Sequence, residues 1–95
     1  DLYIGDDKDC LEAIKRKHPD ALCASDAKSA YRLIDQHNVD TVYLDLYIPA
    51  VNTSDFIGRL RLRKSDLRVL VISGLELRQI ERDAILQIAD GLIEK

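Results

Sequence analysis

Short apolar runs alternate along the chain with stretches whose apolar residues recur at the spacing of an α-helix. The runs lack regular polar alternation and end at polar or glycine positions, which is typical of strands buried on both faces of a parallel sheet. We predict five strands, at residues 2–4, 21–24, 39–46, 67–73 and from 92 onward. Helical spacing fills each interval between them, so the predicted order is βαβαβαβαβ.

Capping residues and helix breakers mark the ends of the predicted helices. Pro19 closes the first helix, and either Ser25 or Asp26 is placed to cap the second. Thr53 or Ser54 would cap the third helix by the same chemistry. The fourth helix is predicted over 76–88, where apolar residues recur at helical spacing.

This order of elements predicts one α/β domain over residues 1–95. Right-handed crossovers between parallel strands place helices on both faces of an open, doubly wound sheet. Ligands of such sheets bind beyond the carboxyl ends of the strands, where the strand order reverses. The polar residues that follow the strands are therefore the first candidates for a functional site.

Composition narrows the function without naming it. The formal net charge is -3, and both signs are spread along the chain, so we expect no direct contact with nucleic acid. No apolar run approaches the roughly 20 residues that span a bilayer, so we expect no membrane partner. Cys10 and Cys23 show no disulfide or metal-binding spacing, so we interpret both as small hydrophobic residues in a reducing, cytoplasmic setting.

Polar side chains follow four of the five predicted strands. Asp6 and Asp7 follow the first, Asp45 ends the third, Ser73 ends the fourth and Lys95 ends the fifth. Because the carboxyl ends of parallel strands share one edge of a sheet, we expect these side chains to converge. Two carboxylates about 4 Å apart repel by roughly 4 kcal/mol at an effective dielectric constant near 20. A hard divalent cation such as Mg²⁺ would offset that repulsion.

A structural role for the acids is the competing interpretation. An aspartate in a strand-to-helix loop often caps the helix, and Asp7 taken alone is more readily a cap than a metal ligand. Asp45 is different, because it follows the apolar residues 42–44, where a carboxylate has no structural purpose. The cluster as a whole therefore favours a functional site.

Four segments resemble the receiver domains of bacterial two-component response regulators. Residues 2–7 resemble the first strand with its acidic pair, and residues 44–49 resemble the phosphoacceptor motif. Residues 69–74 are similar to the fourth strand with its switch hydroxyl, and residues 89–95 to the fifth strand with its lysine. The resemblance implies the flavodoxin-like, chemotaxis-regulator fold with strand order 2-1-3-4-5.

The resemblance also implies a role for each site residue. Asp45 would take a phosphoryl group from a sensor histidine kinase, a phosphotransfer protein or a small phosphodonor, and form an acyl phosphate. Mg²⁺ would be bound by Asp6, Asp7 and Asp45 and by the backbone carbonyl of Tyr47.

Two further residues would contact the phosphoryl group. Lys95 would pair with its oxygens, and the Ser73 hydroxyl would hydrogen-bond one of them. Movement of Ser73 would bias a switch that a partner reads. The chain would not be a conventional enzyme, since its chemistry would be limited to self-phosphorylation and self-dephosphorylation at Asp45.

The sequence departs from the family pattern in three ways. Thr53 stands where the family usually has glycine, and Leu92 stands where it usually has tyrosine or phenylalanine. The sequence also stops after the fifth strand, without the final helix of the family. That helix and the first helix would cover the same sheet face, so we expect this face to be partly open. A second copy, including one formed by exchange of elements, or a segment of a longer chain would cover it.

Two other functions compete with the phosphoacceptor. A pseudo-receiver would use the fold as a protein-binding module without phosphotransfer, as Leu92, Thr53 and the missing helix would favour. A small Mg²⁺-dependent phosphohydrolase would need a general acid near its nucleophile. Tyr47 occupies the position two residues after Asp45, so the Asp-x-Asp arrangement of the haloacid-dehalogenase class is absent.

Overall fold

The structure, a computed structural model, describes residues 1–46, 52–74 and 76–94. Within these ranges strands and helices alternate strictly, as the hydrophobic pattern predicts. The strands are β1 (Leu2–Ile4), β2 (Leu22–Ala24), β3 (Thr41–Asp45), β4 (Arg68–Ser73) and β5 (Gly91–Glu94). The helices are α1 (Lys8–Lys17), α2 (Ala27–Gln36), α3 (Thr53–Arg63) and α4 (Gln79–Ile88).

All strand pairs are parallel, and the order across the sheet is β2-β1-β3-β4-β5. This confirms the predicted doubly wound architecture and its strand order. The chain first winds outward from β1 to β2, then returns to the other side of β1 to form β3. The reversal lies between β1 and β3, so the carboxyl ends of these two strands flank the expected ligand crevice.

One face of the sheet is thoroughly covered. Apolar strand residues on this face pack with residues of α2, α3 and α4 into a single core cluster. Phe56 and Leu60 of α3 lie at its centre, with 1% and 0% of their surfaces exposed. The Phe56 ring also meets the ring of Tyr31 on α2, with 5.5 Å between the ring centroids. These contacts fix the sheet that carries the candidate site.

The opposite face is covered by α1 alone among the described elements. Ile14 of α1 packs there with Tyr3, Ala21 and Ile72 in a smaller cluster. Beside α1 lies an apolar cavity of about 360 Å³, the α1-side groove, which is lined by Cys10, Ala13, Ile14, Lys17, His18, Tyr43, Leu70, Ile72 and Ile93. Ile93 remains 41% exposed at its edge. Among the described residues, α1 therefore leaves part of this face open as a groove.

The helix starts differ in part from the prediction. Asp26 caps α2, accepting a hydrogen bond from the backbone N–H of Ser29 at 2.7 Å. The cap of α3 is Asn52, whose Oδ1 accepts from the N–H of Asp55 at 3.1 Å, so the prediction of Thr53 or Ser54 was wrong. Asparagine is as good an N-cap as serine, and its position one residue earlier makes Thr53 the first helical residue.

The fourth helix is also shorter than predicted. It begins at Gln79 rather than at 76, because the Glu81 carboxylate accepts from the backbone N–H of Arg78 at 3.1 Å and so fixes the first turn.

Asp90 lies between α4 and β5. Its carboxylate accepts a hydrogen bond from the N–H of Val69 at 2.7 Å and pairs with Arg61 at 2.8 Å. The first of these bonds lowers the pKa of Asp90 most, and the positive charge of Arg61 lowers it further. The helices in the described ranges have 10 or 11 residues each, and none of them has the length and apolar character of a membrane span.

Candidate functional site

Asp45 is the last residue of β3, at the carboxyl edge of the sheet. Only 6% of its surface is exposed, and on the sheet it stands beside Ile72 of β4. A carboxylate buried to this degree is costly unless hydrogen bonds compensate for its lost hydration. The partners of Asp45 therefore decide what its carboxylate can do.

The Tyr3 hydroxyl is one such partner. It donates a hydrogen bond to Oδ2 of Asp45 at 3.2 Å and accepts one from the backbone N–H of Asp7 at 3.1 Å. Tyr3 is fully buried, and this burial raises the pKa of its hydroxyl above the ordinary value, with the Asp45 charge adding to the effect. The hydroxyl thus stays protonated as a donor and links the phosphoacceptor candidate to the start of α1.

Gly5 makes this contact possible. Ile4 and Leu44 are register partners on neighbouring strands, and side chains alternate between the two faces along each strand. The side chains of Tyr3 and Asp45 therefore lie on the same face of the sheet, and Gly5 presents its bare Cα to that face. A Cβ atom at Gly5 would lie 2.5 Å from the Tyr3 hydroxyl oxygen and 2.7 Å from Cβ of Asp45. Real Cβ atoms do not approach other heavy atoms so closely. The absence of a side chain at Gly5 is therefore what lets the hydroxyl reach the carboxylate.

Asp7 and Asp6 follow β1 but do different work. Asp7 is the N-cap of α1, and its Oδ1 accepts from the N–H groups of Asp9 at 3.0 Å and Cys10 at 3.3 Å. The helix-cap interpretation of Asp7 is thus correct for one of its oxygens. Asp6 is exposed, and both residues line a cavity of about 240 Å³ together with Tyr3.

The other predicted site residues divide into two groups. Ser73 ends β4 and is fully buried, and it directly follows the register partner of Asp45. It therefore lies at the same sheet edge, as predicted. Tyr47 and Lys95 lie outside the described residues, so their predicted roles remain predictions.

The fit of a metal ion depends on the donor set. Within the described ranges, no three histidine, cysteine or acidic side chains gather as a ready metal cluster. Mg²⁺ does not need three, because it usually takes one or two carboxylates and completes its shell with waters and phosphate oxygens. The oxygen donors at this edge, an exposed carboxylate at Asp6 and a buried one at Asp45, are of the type that Mg²⁺ prefers.

Comparison with known proteins decides the family. The family model for the response regulator receiver domain matches residues 4–95. The chain belongs to this family. Receiver domains act in two-component signalling, where the family interacts with histidine kinases and effector domains and generally binds Mg²⁺. A search of curated proteins finds no match.

Solved structures agree with the receiver fold. The Francisella response regulator 1452 receiver domain is 26% identical, with a TM-score of 0.76, and the match covers 99% of this chain and 81% of that one. A signal receiver domain of an HD domain-containing protein from Pseudomonas fluorescens has a TM-score of 0.80 at 17% identity, covering 99% and 79%.

A third structure is a response regulator protein from Burkholderia pseudomallei that contains a phosphorylated aspartic acid, a calcium ion and citrate. It has a TM-score of 0.79 at 20% identity, and the match covers 99% of this receiver domain. This receiver domain spans only 58% of the Burkholderia chain.

The sequence did not identify Tyr3 as a site residue, since its side chain was taken as part of an apolar strand. Two signals point to it in retrospect. A buried tyrosine such as Tyr3 needs a hydrogen-bond partner for its hydroxyl. Gly5, two residues later on the same face of the strand, leaves space for the Tyr3 side chain to reach such a partner.

Proposed function

We propose that Asp45 is the phosphoacceptor of this receiver domain, in a cytoplasmic two-component pathway. The observation that carries the proposal is a carboxylate that is 6% exposed, at the carboxyl end of β3, beside the point where the strand order reverses. Nothing in the packing of β3 requires a charge there, and apolar residues fill the rest of its buried positions. The donors are a sensor histidine kinase, a phosphotransfer protein or a small phosphodonor.

The reaction is nucleophilic catalysis by a carboxylate. An oxygen of Asp45 bonds to phosphorus while the bond from phosphorus to the donor breaks, and its electron pair leaves with the donor. The product is an acyl phosphate whose phosphoryl group carries a charge of about -1.5 to -2 at neutral pH, in place of the carboxylate charge. The protein positions the nucleophile and disperses this charge, which is most of what phosphoryl transfer requires.

Asp6 and Asp45 are the side chains proposed to hold Mg²⁺. Asp7, with one oxygen engaged at the cap of α1, contributes mainly through water, and the carbonyl of Tyr47 is the proposed backbone ligand. When bound, Mg²⁺ would neutralise charge on the phosphoryl oxygens. The chemistry of the oxygen donors at this sheet edge supports the assignment of Asp6 and Asp45. The roles of Asp7 and of the Tyr47 carbonyl rest on the resemblance to the family.

Ser73 and Lys95 are proposed to bind the phosphoryl oxygens. Ser73 is fully buried next to the strand position that faces Asp45, so a shift of its hydroxyl toward a phosphoryl oxygen would move the end of β4. A partner or effector would read that change.

We also propose that a second copy or a segment of a longer chain covers the α1-side groove.

Phosphorylation can be tested directly. The protein is incubated with phosphoramidate or acetyl phosphate and Mg²⁺, and its intact mass is followed with time. The wild type should gain one phosphate, whereas Asp45→Asn and a sample without Mg²⁺ should not. Tyr43→Phe is the matched control, because Tyr43 lies two residues from Asp45 on the same strand and its hydroxyl faces His18 at 3.5 Å. A wild type that gains no mass would refute the proposal.

The pseudo-receiver is the second candidate, and one observation favours it. Leu92 packs against the main core cluster at the position where the family usually has an aromatic residue, so the usual coupling of the switch to this strand is changed. A pseudo-receiver would show no mass gain and no Mg²⁺ binding at millimolar concentration, yet would fold normally. Mg²⁺ titration followed by amide chemical shifts of residues 5–7 separates the two candidates.

A further inference from the structure

The hydrogen bond between Tyr3 and Asp45 has a chemical consequence beyond holding the carboxylate in place. Both side chains are buried, with 0% and 6% of their surfaces exposed, so water competes weakly for the contact. The 3.2 Å bond ends on Oδ2, one of the two oxygens that share the negative charge of Asp45. Any reaction that removes this charge weakens the bond, because hydrogen bonds to charged acceptors are stronger than those to neutral ones.

We infer that Tyr3 shortens the lifetime of the phosphorylated state by stabilising the Asp45 carboxylate as it leaves the phosphoryl group. This inference rests on the proposed function of Asp45. It assigns Tyr3 as a positioning residue that acts through Asp45, and Gly5 as the residue that gives it access. It holds whichever oxygen carries the phosphoryl group, because neither oxygen of an acyl phosphate keeps the carboxylate charge.

The hydrolysis step shows where the hydrogen bond matters. The oxygen of water bonds to phosphorus, the bond between phosphorus and the Asp45 oxygen breaks, and its electron pair returns to the carboxylate. The proton from water passes to solvent, and inorganic phosphate departs. Phosphoryl transfer has a loose transition state in which the bond to the leaving oxygen is largely broken. The carboxylate has then regained most of its charge, so the Tyr3 hydroxyl stabilises this transition state more than the acyl phosphate.

Phosphorylation responds differently to the same hydroxyl. In a loose transition state the attacking oxygen has formed little of its new bond. The Asp45 carboxylate therefore keeps most of its charge, and the hydrogen bond is almost as strong as in the free protein. Removing the hydroxyl should slow hydrolysis by about fivefold to tenfold. This factor is the free-energy difference between a hydrogen bond to a charged acceptor and one to a neutral acceptor, converted to a rate ratio. The rate of phosphorylation should change by no more than about twofold.

The test compares Tyr3→Phe, Tyr43→Phe and the wild type. Each protein is phosphorylated with phosphoramidate and Mg²⁺, freed of the donor, and followed by intact mass as the phosphate is lost. The phosphorylation rate is measured on the same samples before the donor is removed. Tyr43 is a close control, because it is the register partner of Tyr3 and lies on the same face of the sheet. The expected result is slower loss of phosphate in Tyr3→Phe alone, with its phosphorylation rate kept.

A ring-fluorinated tyrosine placed at position 3 gives a second measurement with the shape of the side chain preserved. Its hydroxyl is a stronger donor, so the phosphate should be lost faster than in the wild type. This protects the test if Tyr3→Phe folds poorly, which urea unfolding would reveal.

Several outcomes would overturn the inference, and they differ from failure of the proposed function. A Tyr3→Phe lifetime within twofold of the wild type, an equal fall in both rates, or an equal effect of Tyr43→Phe refutes the role of Tyr3 while Asp45 remains the phosphoacceptor. No phosphorylation of the wild type refutes both.

Discussion

Gly5→Ala is the most informative single change in this domain. The new methyl carbon would lie 2.5 Å from the Tyr3 hydroxyl oxygen and 2.7 Å from Cβ of Asp45, and one neighbour must move by about 1 Å. Cβ of Asp45 is fixed by the backbone of β3, so the Tyr3 ring is the group that can yield. Overpacking costs about 1–3 kcal/mol, and the weakened hydrogen bond to Asp45 adds about 1 kcal/mol. We expect a total loss of about 2–4 kcal/mol of unfolding free energy.

Urea unfolding measures this loss, and a thermal scan should show the midpoint lowered by roughly 4–8 °C per kcal/mol. Gly58→Ala is the matched control, because a Cβ there meets nothing within 4 Å. Gly58 lies inside α3, where alanine is favoured over glycine by about 0.5–1 kcal/mol, so this variant should gain stability. Combining Gly5→Ala with Tyr3→Phe should cost less than the sum of the two single changes. If Gly5→Ala were as stable as the wild type, Tyr3, Gly5 and Asp45 could not lie as close together as described, and the reasoning would be refuted.

Three further predictions concern other parts of the domain. Phe56→Ala should lower the unfolding free energy, measured by urea unfolding, by about 3–5 kcal/mol, because the ring is 1% exposed at the centre of the larger core. A loss below about 1 kcal/mol would contradict this packing. Asp90 has a lowered pKa, so its contribution to stability is present above the ordinary aspartate pKa of 3.8 and is lost as pH falls through the folded value. Asp90→Asn should therefore be less stable than the wild type near pH 7, and the gap in urea midpoints should close in acid; a gap independent of pH would refute this. Ile93→Asp should reduce the fluorescence of an apolar dye bound to the α1-side groove, where Ile93 is 41% exposed, whereas Leu62→Asp, at an 87% exposed position on α3, should not.

The order of elements was readable from the sequence because the central strands, such as β1 and β4, carry buried residues on both faces. Val69 and Val71 face one helix layer and Leu70 and Ile72 face the other, so the run is continuously apolar. Such a run bounded by polar residues has few alternatives to a central parallel strand.

The exact ends of the helices and the role of Tyr3 at the site were harder to predict from the sequence. Asn52 and Thr53 are both plausible near a helix start, and only the hydrogen bond to the N–H of Asp55 decides between them. Tyr3 was missed because its role depends on the pairing of β1 with β3, across 42 positions of sequence separation. No local pattern carries this pairing, and the same residue in a different register would be an ordinary core tyrosine.

The α1-side groove shares its walls with the strands that carry the site. Tyr43 precedes Asp45 by two positions on β3, and Ile72 of β4 is the register partner of Asp45, so both groove residues adjoin Asp45 on the same sheet face. A ligand of the groove and a phosphoryl group at Asp45 would thus act on the same two strands. Thermodynamic reciprocity then applies: any factor by which phosphorylation alters affinity at the groove is the factor by which occupancy of the groove alters the phosphorylation equilibrium. Under the proposed function of Asp45, a groove ligand coupled in this way would shift the phosphorylation equilibrium without any change to the acidic residues.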